Sequence, residues 1–237
     1  MVAEPAPELV LASASAARLD TLTRAGLAPR VVVSHVDEDA FTAPDVPGLV
    51  QALARAKAEA VAASLMIPAR DAAPGPPGDG SAPGPPRPGW TGSGTVPAQA
   101  GTLVVGCDSL LELDGEPLGK PGTPEAAVGY WQRMRGRTGH LHTGHHVIRL
   151  GEMSGTASGV ATTAVSFADL ADDEITAYVA SGEPLSVAGA FTIDGLGGAY
   201  VTAVDGDPHA VVGISLPLLR DLFGQLGVRW HTLWTTS

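Results

Sequence analysis

Residues 8–36, ELVLASASAARLDTLTRAGLAPRVVVSHV, decide the fold class. Residues 8–12, ELVLA, form an apolar run with the length of a buried strand. The run breaks into small polar residues. Ser15 stands where an N-cap belongs, ahead of Leu19, Leu22 and Thr23 at helical spacing. Gly26 fits the position just past a helix end, where a left-handed residue is favoured. Residues 30–36, RVVVSHV, then read as a second strand. Strand, loop, helix and strand in that order predict an α/β architecture.

The pattern continues outward. An acidic loop, DEDAFTAPDVPG, follows. Residues 49–66, LVQALARAKAEAVAASLM, are rich in strong helix formers and give the clearest helix of the chain. Residues 68–101 are dominated by Pro and Gly, as in PGPPGDGSAPGPPRPG, and read as a disordered or polyproline-like insertion within one domain spanning 1–237. Residues 102–107, TLVVGC, resume as a buried strand. The Asp114-Gly115 pair predicts a hairpin turn within LLELDGEPL. Thr123 and Pro124 supply an N-cap and a favoured first helical residue for PEAAVGYWQRMR. Residues 141–150 and 160–167 read as paired strands, Asp172 opens a helix closed by Gly182, residues 199–204 form a strand, and PLLRDLFGQLG is the last helix.

Composition narrows the function. The 237 residues are 44% hydrophobic and 16% charged, with a formal net charge of −11. Such acidity argues against nucleic acid, whose phosphates need Lys and Arg. It leaves room for a small phosphorylated ligand held by a few local cations and a carboxylate-bound metal. The single cysteine, Cys107, permits no internal disulfide and suits a reducing compartment. The opening MVAEPAPELVLASAS lacks the charged and apolar regions of a signal peptide, and no run reaches the ~18 apolar residues of a membrane span. A cytoplasmic enzyme that engages no membrane is expected.

Seven motifs stand in order: LASASAARLDTL with VDED, ALARAKAEAVA, GCDSLLELDGEPLGKP, GRTGHLHTG, YVASGEPLSVAGAFTIDGLGG and DGDPHAVVGISLPLL. Together they resemble the Maf (septum-formation) family over nearly the whole chain apart from the insertion and the extreme ends. The resemblance implies the inosine-triphosphatase-like α/β fold, a mixed central sheet flanked by helices with two lobes around a cleft. It also implies hydrolysis of a nucleoside triphosphate to monophosphate and pyrophosphate, a divalent Mg or Mn ion, and a homodimer.

The resemblance assigns roles that the residues can carry. Asp108 follows a buried strand, where α/β folds gather ligands; it matches the family's proton acceptor and would also hold the metal. By local sequence alone it reads as an Asp capping a turn. Glu38 matches a metal-holding carboxylate, although VDED by itself is a solvated acidic loop. Ser13, Ser15 and Arg18 form a small-residue loop entering a helix, a natural phosphate site in which Arg18 could bind bidentately. Lys57 and Lys120 match phosphate-contacting lysines; without the family, Lys57 reads as part of a solvated helix face. Ala17, Ser109 and Asp194 fall where family subgroups differ in base preference. The thymidine/uridine-triphosphate subgroup carries Arg, Thr and Gln there, so this chain departs from it and its base preference stays open.

Other signals are set aside. His140, His142, His145 and His146 sit on a strand with His140 and His142 on one face, no nearby Cys and no clear third ligand, so zinc is not expected. Cys107 reads as a buried small hydrophobe rather than a nucleophile. The GLGG at 195–198 lacks the lysine of a P-loop. A nucleotide-binding regulator of cell division with little turnover, and an interaction scaffold built on the prolines, remain as other readings.

Overall fold

The computed structural model describes residues 6–66 and 101–235. The Pro/Gly-rich insertion lies outside the described residues apart from Gly101. The chain opens with strand β1 (Glu8–Leu11) and helix α1 (Ala16–Arg24), which Ser15 caps by accepting the Arg18 N–H; Gly26 has φ +82° just past its end. Strand β2 is only Arg30–Val31, shorter than the run RVVVSHV suggested. Its partner β1 ends at Leu11. After Val32 donates to the Leu11 carbonyl no ladder continues, and residues 33–36 swing out along a cavity.

A short 3₁₀ turn (Glu38–Ala40) precedes helix α2 (Val46–Met66). Strand β3 runs unbroken from Thr102 to Leu113, and β4 (Glu116–Leu118) returns across the expected turn, with Asp114 and Gly115 both at positive φ. Helix α3 (Pro124–Met134) starts at the Thr123 cap. Strands β5 (Thr138–Leu150) and β6 (Gly155–Phe167) form the long antiparallel pair, and helix α4 (Asp172–Ala180) follows. Three 3₁₀ turns lead to β7 (Val201–Asp205). The short helix α5 (Pro208–Val212) has no counterpart in the sequence reading; α6 (Leu216–Gln225) is the expected last helix.

The seven strands form one mixed sheet in the order β2-β1-β3-β5-β6-β7, with β4 paired to β3. β1 is parallel to β2 and β3, and the other pairings are antiparallel. This bears out the α/β expectation of a mixed central sheet flanked by helices.

Two features of β3 place the site. Along the edge of β3 that faces away from β5, β1 pairs with residues 102–105 and β4 with residues 111–113. Residues 106–110 between them form a notch in the sheet. Successive side chains of a strand alternate between faces. On one face Leu103, Val105 and Cys107 join the apolar cluster of α1 and α6, and Leu111 and Leu113 join the cluster around Trp131. Ser109, with its cross-strand partner Thr143, interrupts that apolar row. On the opposite face α2 lies almost in contact with the backbone. A methyl group at Gly106 would overlap the Ala54 carbonyl, and one at Gly144 the Val50 carbonyl. The residues α2 buries are Val46, Val50, Leu53, Ala54, Lys57, Ala58, Val61 and Ala62. Their spacing is one helical stripe with a lysine inside it.

Candidate active site

A cavity of about 990 Å³ opens at the notch, and all ten residues singled out in the sequence line it. They arrive from different elements. Ser13, Ser15, Ala17 and Arg18 come from the loop beyond β1 and the first turn of α1, Glu38 from the acidic 3₁₀ turn, and Lys57 from α2. Asp108 and Ser109 come from β3, Lys120 from the loop after β4, and Asp194 from the loop before β7. Asp108 therefore stands in mid-strand rather than past a strand end, as the sequence reading had it. The long strand continues through the site because β5 pairs it without a break from Thr102 to Glu112, while β4 resumes the other edge only at Leu111. The parallel strand ends that open onto the cavity are those of β1 and β2.

The two faces of the sheet deliver opposite parts of the site. From the α2 face, the Lys57 ammonium bonds Asp108 Oδ1 at 2.5 Å and Glu38 Oε1 at 2.6 Å. Lys57 and Asp108 side chains are each 8% exposed, whereas Glu38 is 48% exposed. Burial pushes the Glu38 carboxyl up, but the bond and charge of Lys57, with the charges of Lys120 and Arg18, hold it below its ordinary value. Lys57 is thus buried between two carboxylates and does not lie on a solvated face. Two of its three N–H donors are engaged.

From the other face comes Arg18, buried and tied inward. Its Nε donates to the Gly213 carbonyl at 2.8 Å, Nη1 to the Cys107 carbonyl at 2.9 Å and to Ser13 Oγ at 3.1 Å, and Nη2 to Ser109 Oγ at 3.1 Å. Four of five guanidinium donors are used internally. The fork is closed to a bidentate phosphate, and Arg18 acts as a strut that orients Ser13 and Ser109 while leaving its charge in the cavity wall.

Proton accounting fixes what these hydroxyls can offer. Ser13 Oγ accepts from Arg18 and from the Ser15 N–H, so its own O–H is free to donate. Ser15 Oγ accepts the Arg18 N–H and likewise keeps its proton. Thr143 donates to the Ala210 carbonyl at 2.8 Å, so in its 2.9 Å bond to Ser109 it must accept. Ser109 gives its proton to Thr143, receives one from Arg18, and turns only a lone pair to the cavity. Lys120 and Asp194 are exposed at the rim with no polar partner among the described residues.

Three groups set the surroundings, Cys107 and His145 buried and Glu183 half-buried. Cys107 is buried, and desolvation pushes its thiol up to about 12 despite the neighbouring Arg18, so it is no nucleophile at neutral pH. His145 is the second: its Nε2 accepts the Ser215 N–H at 2.8 Å and its Nδ1–H faces the Thr143 carbonyl at 3.0 Å. It is a structural imidazole, and burial and then the Arg18 charge lower its pKa to about 4. His142 bonds Glu112 and Thr162, and no group of three metal-ligating side chains occurs among the described residues.

The third, Glu183, escaped the sequence reading. Its carboxylate accepts from Tyr178 Oη at 2.9 Å, Thr192 Oγ1 at 2.6 Å, the Gly197 N–H at 2.9 Å and the Leu196 N–H at 2.9 Å. Burial raises its pKa, but these bonds outweigh that and bring it to about 2. The only sequence cue is an acid directly after the helix-closing Gly182.

His145 makes acid stability testable. Its folded pKa lies below the ordinary 6.5, so the unfolded chain takes up the proton first. Its contribution is complete above pH 6.5, and falls as the pH drops toward 4, by an amount on the order of 3 kcal/mol. Urea midpoints measured from pH 7 to pH 4.5 should fall more steeply for the parent chain than for His145→Gln, which starts lower but lacks that titration. Equal slopes would rule out a neutral buried His145.

A family profile described as "Maf-like protein" matches residues 8–226. Relatives named "Nucleoside triphosphate pyrophosphatase" include a Streptomyces coelicolor protein, 47% identical over 242 residues covering 100% of this chain and 99% of the relative. One from Streptomyces avermitilis is 46% identical over 235 residues, covering 99% and 98%. One from Mycobacterium ulcerans is 46% identical over 236 residues, covering 97% of each. With motifs, mixed sheet and cavity in agreement, the chain belongs to the Maf-like protein family.

Proposed function

We propose that this protein is a pyrophosphatase that hydrolyses a nucleoside triphosphate between its α and β phosphates, giving a monophosphate and pyrophosphate. The observation that carries the reading is the convergence of Arg18, Lys57 and Lys120 on one notch beside Asp108, in a chain whose net charge is −11. Local cations against a global acidic background are what a polyphosphate needs. The names of the relatives support the same reading.

In this reading the Ser13 and Ser15 hydroxyls and the amides opening α1 donate to phosphate oxygens. Asp108 accepts the proton of the attacking water, and Lys57, held against it, steadies the charge that grows on the phosphate. Glu38 and Asp108, brought together on the Lys57 ammonium, are the carboxylates that would hold a hard cation alongside substrate phosphates and waters. A magnesium or manganese ion held there would neutralise charge on the departing pyrophosphate. Ser109 and Asp194 offer only acceptors, and Ala17 only a methyl, so a base that turns N–H donors toward this wall is favoured.

The test is pyrophosphate release from a panel of ordinary and modified nucleoside triphosphates, with magnesium, with manganese, and with neither. Pyrophosphate and monophosphate in equal amounts, dependent on the ion, are expected. Nucleotide binding without turnover across the panel would replace the reading with a nucleotide-binding regulator.

A further inference from the structure

We infer that Glu183 is a positioning residue that fixes the substrate-facing wall of the cavity, and so governs how tightly substrate is held rather than how fast it is cleaved. The inference rests on the cavity being the nucleotide site. Phe191, Thr192, Ile193 and Asp194 form one wall of that cavity. Their segment has no strand pairing; it passes through 3₁₀ turns between α4 and β7.

Glu183 ties that segment down at both ends. Its Oε1 receives the Thr192 hydroxyl and the Gly197 N–H, and its Oε2 the Leu196 N–H. Asp194 sits on the span between Thr192 and Leu196. Tyr178, on α4, donates to the same Oε1 and anchors the carboxylate to the Trp131 core. The loop wraps the carboxylate closely. A methyl at Gly195 would lie 2.5 Å from Glu183 Oε2, and one at Gly197 would overlap Tyr178 Oη. One side chain therefore accepts three bonds from a segment that the sheet does not hold and a fourth from Tyr178 on α4, and charged acceptors make the strongest such bonds.

Glu183 itself does not line the cavity, and Asp108, Lys57, Glu38 and Arg18 are set by β3, α2, the acidic turn and α1. Loosening the wall leaves that machinery in place. Binding should suffer and the chemical step should not.

The experiment compares the full chain with Glu183→Gln and Glu183→Ala. Gln keeps an acceptor for three of the donors but sets an amide against the Leu196 N–H. Amide hydrogen exchange, measured without nucleotide, should speed up at least tenfold over residues 191–198 in Glu183→Ala, less in Glu183→Gln, and stay unchanged in β3 and β5. Steady-state pyrophosphate release should give a KM raised at least tenfold in Glu183→Ala with kcat changed less than threefold, and an intermediate KM for Gln. Unchanged exchange, or a KM equal to the parent's, would overturn the assignment, as would an apparent kcat that falls only in proportion to lost folded protein while KM holds. A parent chain that turns over no nucleoside triphosphate would overturn the pyrophosphatase reading instead, and the exchange data would still decide whether Glu183 holds the wall.

Discussion

Asp108→Asn should lower pyrophosphate release by about a thousandfold, the scale of a lost and well-placed proton acceptor, while leaving the protein folded. The amide has nearly the same volume and keeps an oxygen toward Lys57, but it takes no proton from water at neutral pH. Folding should suffer little. The buried Lys57 ammonium keeps its 2.6 Å bond to Glu38, so no cation is left without a counter-charge. The loss of a charge-assisted bond costs on the order of 2 kcal/mol, a fall in Tm of about 5 °C for a chain of this size. Glu38→Gln is the informative partner, because half-exposed Glu38 shares Lys57 but reaches the cavity from a different element. A variant at Asp108 that keeps a tenth of the parent's turnover, measured with a melting curve beside it, would remove Asp108 from the chemistry.

That these residues would gather at one place was legible through the family resemblance, but the partners each one has there were not. The Ser15 cap, the Asp114-Gly115 turn and the Thr123-Pro124 helix start were all readable, because each is set by local backbone geometry. The cut in β2 was not, since Arg30–Val36 has the composition of a strand and stops pairing only because β1 runs out. Asp108 looked like the end of a strand for a similar reason. The residues after it stay in the strand because β5 pairs them, joined from Leu111 by β4, and the local pattern assigns both partners to separate elements. Lys57 could have been read better. Plotted at 100° per residue it falls on the same stripe as Val50, Leu53, Ala54 and Val61, and a lysine on a buried stripe needs a buried acid. Arg18 and Glu183 were beyond local reading. The bonds that define them reach backbone groups 89 and 195 residues away from Arg18, and for Glu183 they reach a loop whose path only the fold decides.

The notch explains why an acidic protein can hold so many cations at one place. Asp108 and Ser109 are neighbours in β3 but point to opposite faces. Lys57 meets the first from the α2 side and Arg18 meets the second from the α1 side. Each cation is buried by its own layer of the fold and reaches the cavity only where β1 and β4 leave the strand uncovered. The layers must therefore sit close to β3, and glycine is what allows it on the α2 side.

Gly106→Ala should accordingly be among the most damaging single methyl groups that can be added. Its Cβ would overlap the Ala54 carbonyl and lie 2.8 Å from the Ala58 nitrogen. Both neighbours are helix backbone, which no rotamer change can move aside, so α2 must lift off β3 as a body. Overpacking of this kind costs about 3 kcal/mol, or a Tm lower by about 10 °C. Lys57 rides on the same helix one turn past Ala54, and lifting α2 draws its ammonium away from Asp108. The folded fraction should therefore lose turnover as well as stability. Gly129→Ala supplies the control. That glycine is inside α3 with nothing within 4 Å of an added methyl, so the same substitution there relieves only the glycine penalty and should raise stability by about 0.7 kcal/mol with turnover unchanged. Thermal melts and pyrophosphate release on the two variants measure opposite signs of one chemical change. A Gly106→Ala protein that melts with the parent and keeps its rate would mean that α2 does not lie on the strand, and the pairing of Lys57 with Asp108 would lose its physical basis.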